Sequence, residues 1–179
     1  RSDTRLRATL PHLLRQAAGN PVPASVRDVV LRLLDDQSTS VVDHTLAAWG
    51  TTGLGPAYLE KVIELAGRPE TSRSAISRVL SRLEEKPDRV IDLLLDAVLS
   101  QQEGTRDAAI EGLKHEVKHR DRIADFFLRL LQLRNDPQTQ MRCLEVLAQC
   151  GRQRMIPVLQ AWASEVEPLP SAAGLSRAC

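Results

Sequence analysis

The segment STSVVDHTLAAWG, residues 38–50, decides the fold because the chain repeats its pattern three more times. The later copies are TSRSAISRVLSRL (71–83), TRDAAIEGLKHEV (105–117) and TQMRCLEVLAQCG (139–151). Their first residues, Ser38, Thr71, Thr105 and Thr139, recur at a nearly constant interval of about 33 residues. A hydroxyl at the start of a helix can accept a hydrogen bond from a first-turn amide. We therefore expect each of the four to cap a helix.

Apolar side chains recur at fixed offsets within these four segments. Four residues after the first position come Val42, Ala75, Ala109 and Cys143, and eight residues after it come Leu46, Val79, Leu113 and Leu147. Positions four residues apart lie on one face of an α-helix. The pattern predicts four helices, each with one buried stripe.

A second family of helical segments alternates with the first and recurs at a similar interval. Its members are PAYLEKVIELAG (56–67), PDRVIDLLLDAVL (87–99), RDRIADFFLRLLQL (120–133) and RQRMIPVLQAWAS (152–164). Pro56 and Pro87 are expected at the first helical position, where no amide donor is needed. Two helices per repeat of about 33 residues indicate an α-solenoid.

Several residues within these helices resemble the HEAT and armadillo-like repeat superfamily. Asp136 and Pro137, followed by Met141, Arg142 and Gly151, are similar to the second helix of that family. The proline-containing segments LPHLL (10–14) and IPVL (156–159) are similar to its first helix, and NP (20–21) with VR (26–27) is a looser match. The resemblance implies an all-α, right-handed α-solenoid of HEAT-like helical pairs. Such folds serve many unrelated functions.

The sequence predicts one helical repeat domain over residues 1–165. Within it, residues 4–36 form an irregular first unit whose helix pairing stays open, because the short interval from Ser25 to Ser38 leaves one helix without a clear mate. The repeats lie near 38–151, and a final helix covers 152–165. Residues 166–179 contain two prolines, a glycine and small residues, which is typical of a linker or a disordered tail. Because the first residue is Arg1, we expect a fragment of a larger protein.

Composition argues against several classes of protein. The chain has 24 basic and 23 acidic residues and a net charge of +1, so it offers no global field for nucleic acid or anionic lipid. No apolar run approaches the roughly 20 residues that span a bilayer. The three cysteines, Cys143, Cys150 and Cys179, do not form a disulfide framework, and we expect reduced thiols in a cytoplasmic protein.

The string HEVKH, residues 115–119, has the letters of a zinc metallopeptidase motif. Such a site needs both histidines on one face of a continuous helix, with a glutamate beside them and a third ligand elsewhere. In the repeat register, His115 ends one helix and His119 directly precedes the next. We therefore reject His115 and His119 as metal ligands and expect a polar turn with two solvated histidines.

Two other patterns are interpreted as structural. The basic run of Arg73, Arg78, Arg82, Lys86 and Arg89 is interleaved with acidic residues at 84 and 85, which is typical of a solvated helix face. Trp49 and Asp43 could be cast as the base-binding pair of a helical DNA glycosylase. A separation of six residues does not bring Trp49 and Asp43 onto the same helix face, so Trp49 is interpreted as a core residue. Trp162, Phe126 and Phe127 are likewise interpreted as core residues.

The resemblance implies a protein–protein interaction scaffold, with a binding ridge formed by the helices of the first family, which correspond to the second helix of a HEAT pair. The candidate contact residues are His44, Ser77, Arg78, Ser81, Glu111, His115, Arg142, Glu145 and Gln149. We expect no catalysis and no cofactor within this segment, and a protein or another domain of the same parent chain as partner. Two alternatives stay open: an accessory helical domain of a larger enzyme, as in the C-terminal region of some M1-type aminopeptidases, and a nucleic-acid-binding repeat protein of DNA-glycosylase type. A ladder of basic residues would favour the second, and none is present.

Overall fold

The computed structural model describes residues 2–50, 54–68, 72–133, 136–150 and 155–165. Within these ranges all regular structure is helical and no strand occurs. The helices are α1 Ser2–Ala17, α2 Ala24–Leu34, α3 Thr39–Trp49, α4 Pro56–Ala66, α5 Arg73–Ser81, α6 Asp88–Val98, α7 Glu103–Lys114, α8 Arg120–Leu133, α9 Pro137–Cys150 and α10 Ile156–Glu165. The predicted all-α class is confirmed. The predicted tail at 166–179 lies outside the described residues.

The chain divides into two compact units where the sequence predicts one domain. The first unit is Arg1–His119 and the second is Arg120–Cys179. The division falls between the HEVKH turn and the start of α8. In the second unit α8 packs on α9.

The buried stripes lie where the repeat pattern places them. Most of the apolar positions of the first family are buried; they are Val42, Leu46, Val79, Ala109, Leu113, Cys143 and Leu147. Ala75 is half-buried. In the second family Val90, Ile123, Met155, Ile63, Leu94 and Phe127 are buried, while Leu59 and Leu159 are half-buried. The repeat interval therefore did identify one buried face per helix.

The predicted helix caps are mostly wrong. Ser38 occupies the N-cap position of α3 but makes no capping bond with its side chain. Thr105 is buried inside α7, where its hydroxyl donates to Gln102 Oε1 at 3.1 Å. Thr139 is also inside its helix, and its amide donates to Asp136 Oδ1 at 2.8 Å. Asp136 therefore caps α9, because an aspartate before a proline at the first helical position can accept a first-turn amide.

The predicted first residues of α4, α5 and α6 agree with the structure in part. Thr71 lies outside the described residues, and Ser72 caps α5 by accepting the Ala75 amide at 3.3 Å. Pro56 is the first residue of α4, as predicted. Pro87 precedes α6 as its N-cap residue.

The structure gives the contacts of the helices of residues 4–36, whose pairing the sequence leaves open. α1 packs against α3, and α2 contacts α1, α3 and α4. Ala8 and Leu33 form a buried cluster with Val41, so α1 and α3 share one core. Thr4 precedes Ser38 by one repeat interval, which continues the spacing of the other repeats backwards. In the structure α1 and α2 thus contact each other, and both contact α3.

The helices α5 and α7 approach each other closely and run parallel. A Cβ atom added to Gly112 would lie 2.5 Å from Ser81 Cβ and 2.6 Å from Ser81 Cα. One end of the contact pairs Gly104 with Ser74, where an added Cβ would lie 3.3 Å from the serine Oγ. Ala108 stands between the two glycines, so small residues recur every fourth position of α7. These small residues let the two backbones come together.

Replacement of Gly112 by alanine tests this close approach. The new methyl would collide with the backbone of Ser81, so we expect a loss of roughly 1–3 kcal/mol in the free energy of unfolding. Helix propensity alone predicts the opposite sign, a gain of up to about 1 kcal/mol. Gly104→Ala is the matched control, since its methyl would meet only a serine hydroxyl. Urea unfolding of the three proteins measures the difference, and equal stabilities for the two variants would contradict the close approach.

Candidate partner-binding face

The outer faces of α3, α5 and α7 form one continuous candidate surface in the first unit. α3 packs on α5 and α5 packs on α7. Their exposed positions include His44 and Ala47 on α3, Arg78 and Arg82 on or just after α5, and Glu111 on α7. We call this surface the α3–α5–α7 face. It combines helices of the first family, at repeat-equivalent or neighbouring positions.

The structure places the nine predicted contact residues in different environments. His44, Arg78, Glu111 and His115 are exposed and Ser81 is half-buried, all on the first unit. Ser77 is only 4% exposed, because it faces the narrow α5–α7 contact, and so it has little surface to present. The remaining three belong to α9 of the second unit, where Glu145 and Gln149 are exposed and Arg142 is half-buried.

Local hydrogen bonds hold several side chains of the α3–α5–α7 face. His44 Nδ1 lies 2.7 Å from the Ser40 carbonyl oxygen, and its ring stands edge-on to His12 at 5.9 Å between centroids. The Arg78 guanidinium donates to Ser74 Oγ at 3.3 Å. Glu111 pairs with Lys114 at 3.3 Å on the same helix. Glu111 therefore has a cationic neighbour within α7, whereas no carboxylate of the described residues pairs with Arg78.

Trp49 lies beneath this face and is 1% exposed, which confirms its predicted place in the core. The Arg15 guanidinium carbon stands 5.6 Å from the Trp49 ring centroid, a cation–π distance that ties α1 to α3. Asp43 is partly buried, and burial raises the pKa of its carboxyl while a hydrogen bond from the Ser72 amide opposes the shift. Tryptophan and aspartate thus serve the helix contacts, and they do not form a base-binding pair.

The second unit confirms part of the predicted core. Phe127 is fully buried, and Phe126 and Trp162 are half-buried. Cys143 and Cys150 are buried free thiols, and burial raises the pKa of Cys143 to about 11. Thiols in this protonated state are poor nucleophiles. Cys179 lies outside the described residues.

The HEVKH residues lie across a turn. His115 is the C-cap residue of α7 and is exposed, and α8 begins only at Arg120. His119 Nε2 donates to the Lys86 carbonyl oxygen at 3.1 Å, and its Nδ1 lies 3.4 Å from Asp88 Oδ1. The two histidines do not share a helical face. His115 is solvated as expected, but the same expectation is wrong for His119, whose side chain is only 9% exposed because it bonds a neighbouring turn.

The glutamate of the same string connects to that neighbouring turn as well. Glu116 Oε2 lies 4.0 Å from Lys86 Nζ, and the side chains are 9% and 8% exposed. The lysine Nζ also donates to the Leu83 carbonyl oxygen at 2.7 Å. Glu116 Oε1 accepts the Lys118 amide at 3.1 Å. Lys86, Glu116 and His119 form a buried polar cluster that joins the α5–α6 turn to the α7–α8 turn.

Sequence reasoning missed this cluster, although its signal was present. Lys86 and His119 lie one repeat interval apart, so equivalent turns of adjacent repeats bring them together. Lys86 was interpreted as part of a solvated basic face. Burial lowers its pKa, against a smaller upward effect of the Glu116 carboxylate.

The described residues contain neither a metal centre nor a membrane span. No group of three or more His, Cys, Asp or Glu side chains comes together there as a metal centre requires. No described helix has both the length and the apolar character needed to cross a bilayer.

Zinc titration tests the interpretation of HEVKH. We expect no one-to-one binding in calorimetry, because His119 already bonds Lys86 and His115 stands apart from it across the turn. His115→Ala serves as the control. Tight binding that disappears in this variant would show that the turn rearranges into a metal site.

The pH dependence of stability tests the burial of Lys86. With its pKa lowered from 10.5 in the folded state, the unfolded chain binds more protons between the lowered value and 10.5. Stability relative to Lys86→Met should therefore rise as the pH increases toward 10.5, and this gain is lost as the pH falls. Urea unfolding at several pH values measures the difference. Lys118→Met, which changes an exposed lysine of the α7–α8 turn, should show no such trend.

Comparisons of this chain with protein-family models, with curated proteins and with solved structures found no significant match. The resemblance to HEAT and armadillo-like repeats therefore stays a prediction from the residues quoted above. A function must be argued from this chain's own surface.

Proposed function

We propose that this chain is a protein–protein interaction module built as a HEAT-like α-solenoid, with the α3–α5–α7 face as its binding ridge. The proposal rests mainly on the serial packing of α1, α3, α5 and α7, which follow one another at the repeat interval. Serial packing of equivalent helices creates an extended binding surface rather than a single compact pocket.

The chemistry of the face supports a protein partner. Imidazole, guanidinium and carboxylate groups stand beside small apolar residues such as Ala47, a mixture that suits a protein surface. Basic residues do not recur at equivalent positions, since His44 and Ser77 are followed by Glu111 in the same register. A nucleic-acid groove would need such recurrence. An interaction role also needs no catalytic group, and the buried thiols and the hydrogen-bonded His119 offer none that is free to react.

Site-specific photocrosslinking tests the proposal. A benzoylphenylalanine in place of exposed Ala47 should yield discrete adducts with partner proteins in an extract of the source cells. The same group in place of Arg27, which is exposed on α2, is the matched control and should yield few. Equal adduct patterns at the two positions, or none at Ala47, would refute a binding ridge on the α3–α5–α7 face.

A further inference from the structure

A groove of about 260 Å³ lies between α3 and α5 on the α3–α5–α7 face. Its apolar lining comes from both helices; it consists of Leu46, Ala47, Ala75 and Val79. Arg78 and Arg82 line the groove on the α5 side. An apolar hollow with a few convergent polar or charged groups is the usual form of a ligand-binding site.

Two features border this groove. Gly50 ends α3 with φ of 49°, a left-handed conformation that favours glycine, and a Cβ at this position would meet no atom within 4 Å. On its other side, α5 is drawn against α7 through Gly112 and Ser81. The close contact of α5 lies toward α7, and on the α3 side Ala47 and Ala75 leave space unfilled.

The two arginines have no carboxylate partner among the described residues. Both are exposed, and they stand one helical turn apart, about 6 Å along the axis at 1.5 Å per residue. Arg78 bonds a neutral hydroxyl, that of Ser74, which orients the guanidinium and leaves its charge uncompensated. A guanidinium is suited to bidentate bonding with a carboxylate.

Two acidic groups of the face are already engaged. Glu111 pairs with Lys114, and the Asp43 carboxylate accepts the Ser72 amide. No acidic residue is among the described residues that line the groove, so its charge is positive in a chain whose net charge is only +1. This local excess is what a negatively charged ligand would complement.

We infer that the groove binds an acidic peptide segment, whose carboxylates engage Arg78 and Arg82 while one aliphatic side chain enters between α3 and α5. This inference rests on the proposed function and names the chemistry of its partner. Side chains two apart on an extended peptide are about 6.6 Å apart, close to the rise between the arginines. Because successive side chains of an extended peptide point to opposite sides, a segment in which acidic and aliphatic residues alternate would turn two carboxylates toward the arginines of α5 and the aliphatic side chain between them toward the α3 wall of the groove.

Nucleic acid fits this site less well than an acidic peptide. A phosphate backbone needs several cations along its path, and each contact adds to affinity. The residues equivalent to Arg78 and Arg82 are Thr45 and Trp49 on α3, and Gly112 and Glu116 on or after α7. The arginine pair is thus local to α5, which matches a short ligand.

Fluorescence anisotropy with a synthetic peptide tests the inference. The probe is a fluorescein-labelled nonapeptide in which three glutamates alternate with two leucines between Gly-Ser ends. We expect saturable binding to the full chain that weakens about tenfold or more in the double variant Arg78→Gln, Arg82→Gln. Arg73→Gln, which does not line this groove, is the matched control and should bind as the wild type does. Circular dichroism of each variant confirms that the fold is retained.

Two altered probes separate charge from apolar contact. Replacement of the glutamates by glutamine, or of the leucines by serine, should each abolish saturable binding. An equal loss in Arg73→Gln would indicate nonspecific attraction and overturn the inference, as would undiminished binding of the glutamine probe. Tighter binding of a single-stranded oligonucleotide, lost in the same double variant, would also overturn it in favour of a phosphate site. If the peptide fails to bind while crosslinks at Ala47 persist, the inference is overturned and the interaction function survives.

Discussion

The contact of Gly112 with Ser81 is the constraint on which the first unit depends. At this point α7 lies so close to α5 that even a methyl group would meet the serine backbone. The contact fixes the spacing of the two helices, and Ser77 of α5 and Thr105 of α7 are buried. It also concentrates close packing on one side of α5. The other side, toward α3, keeps an open groove.

A second constraint acts at the helix ends. The α5–α6 turn and the α7–α8 turn are connected by the ion pair of Lys86 with Glu116 and by the hydrogen bond that His119 donates to the Lys86 carbonyl oxygen. Partly buried charges of this kind contribute little net stability but penalise arrangements in which they would be unpaired. The contact of Gly112 with Ser81 sets the distance between α5 and α7. The polar cluster sets which residues of the α5–α6 turn and the α7–α8 turn face each other.

The sequence predicted the helices well because burial of one face follows directly from periodicity. The sequence did not identify the individual capping residues, since Asp136 and not Thr139 caps α9, and Ser72 caps α5. The sequence left the pairing of the helices in residues 4–36 open because α1 carries His12 where the later segments carry a large aliphatic residue, which hides the spacing from Thr4 to Ser38.

The candidate site was harder to predict than the helices. Ser77 was placed on the ridge because an offset alone does not reveal how close the neighbouring helix lies. The buried Lys86 could have been found only by comparing turns one period apart.

The placement of the two tryptophans, in contrast, follows from their apolar neighbours and has a practical consequence. Trp49 lies buried in the first unit beneath the Arg15 guanidinium, and Trp162 is half-buried in the second unit. Since the chain has only these two indoles, each unit carries its own intrinsic fluorophore. If one tryptophan is replaced, the emission of the other follows the unfolding of a single unit without an added label. The two single-tryptophan variants would therefore show whether the two units unfold together or one after the other.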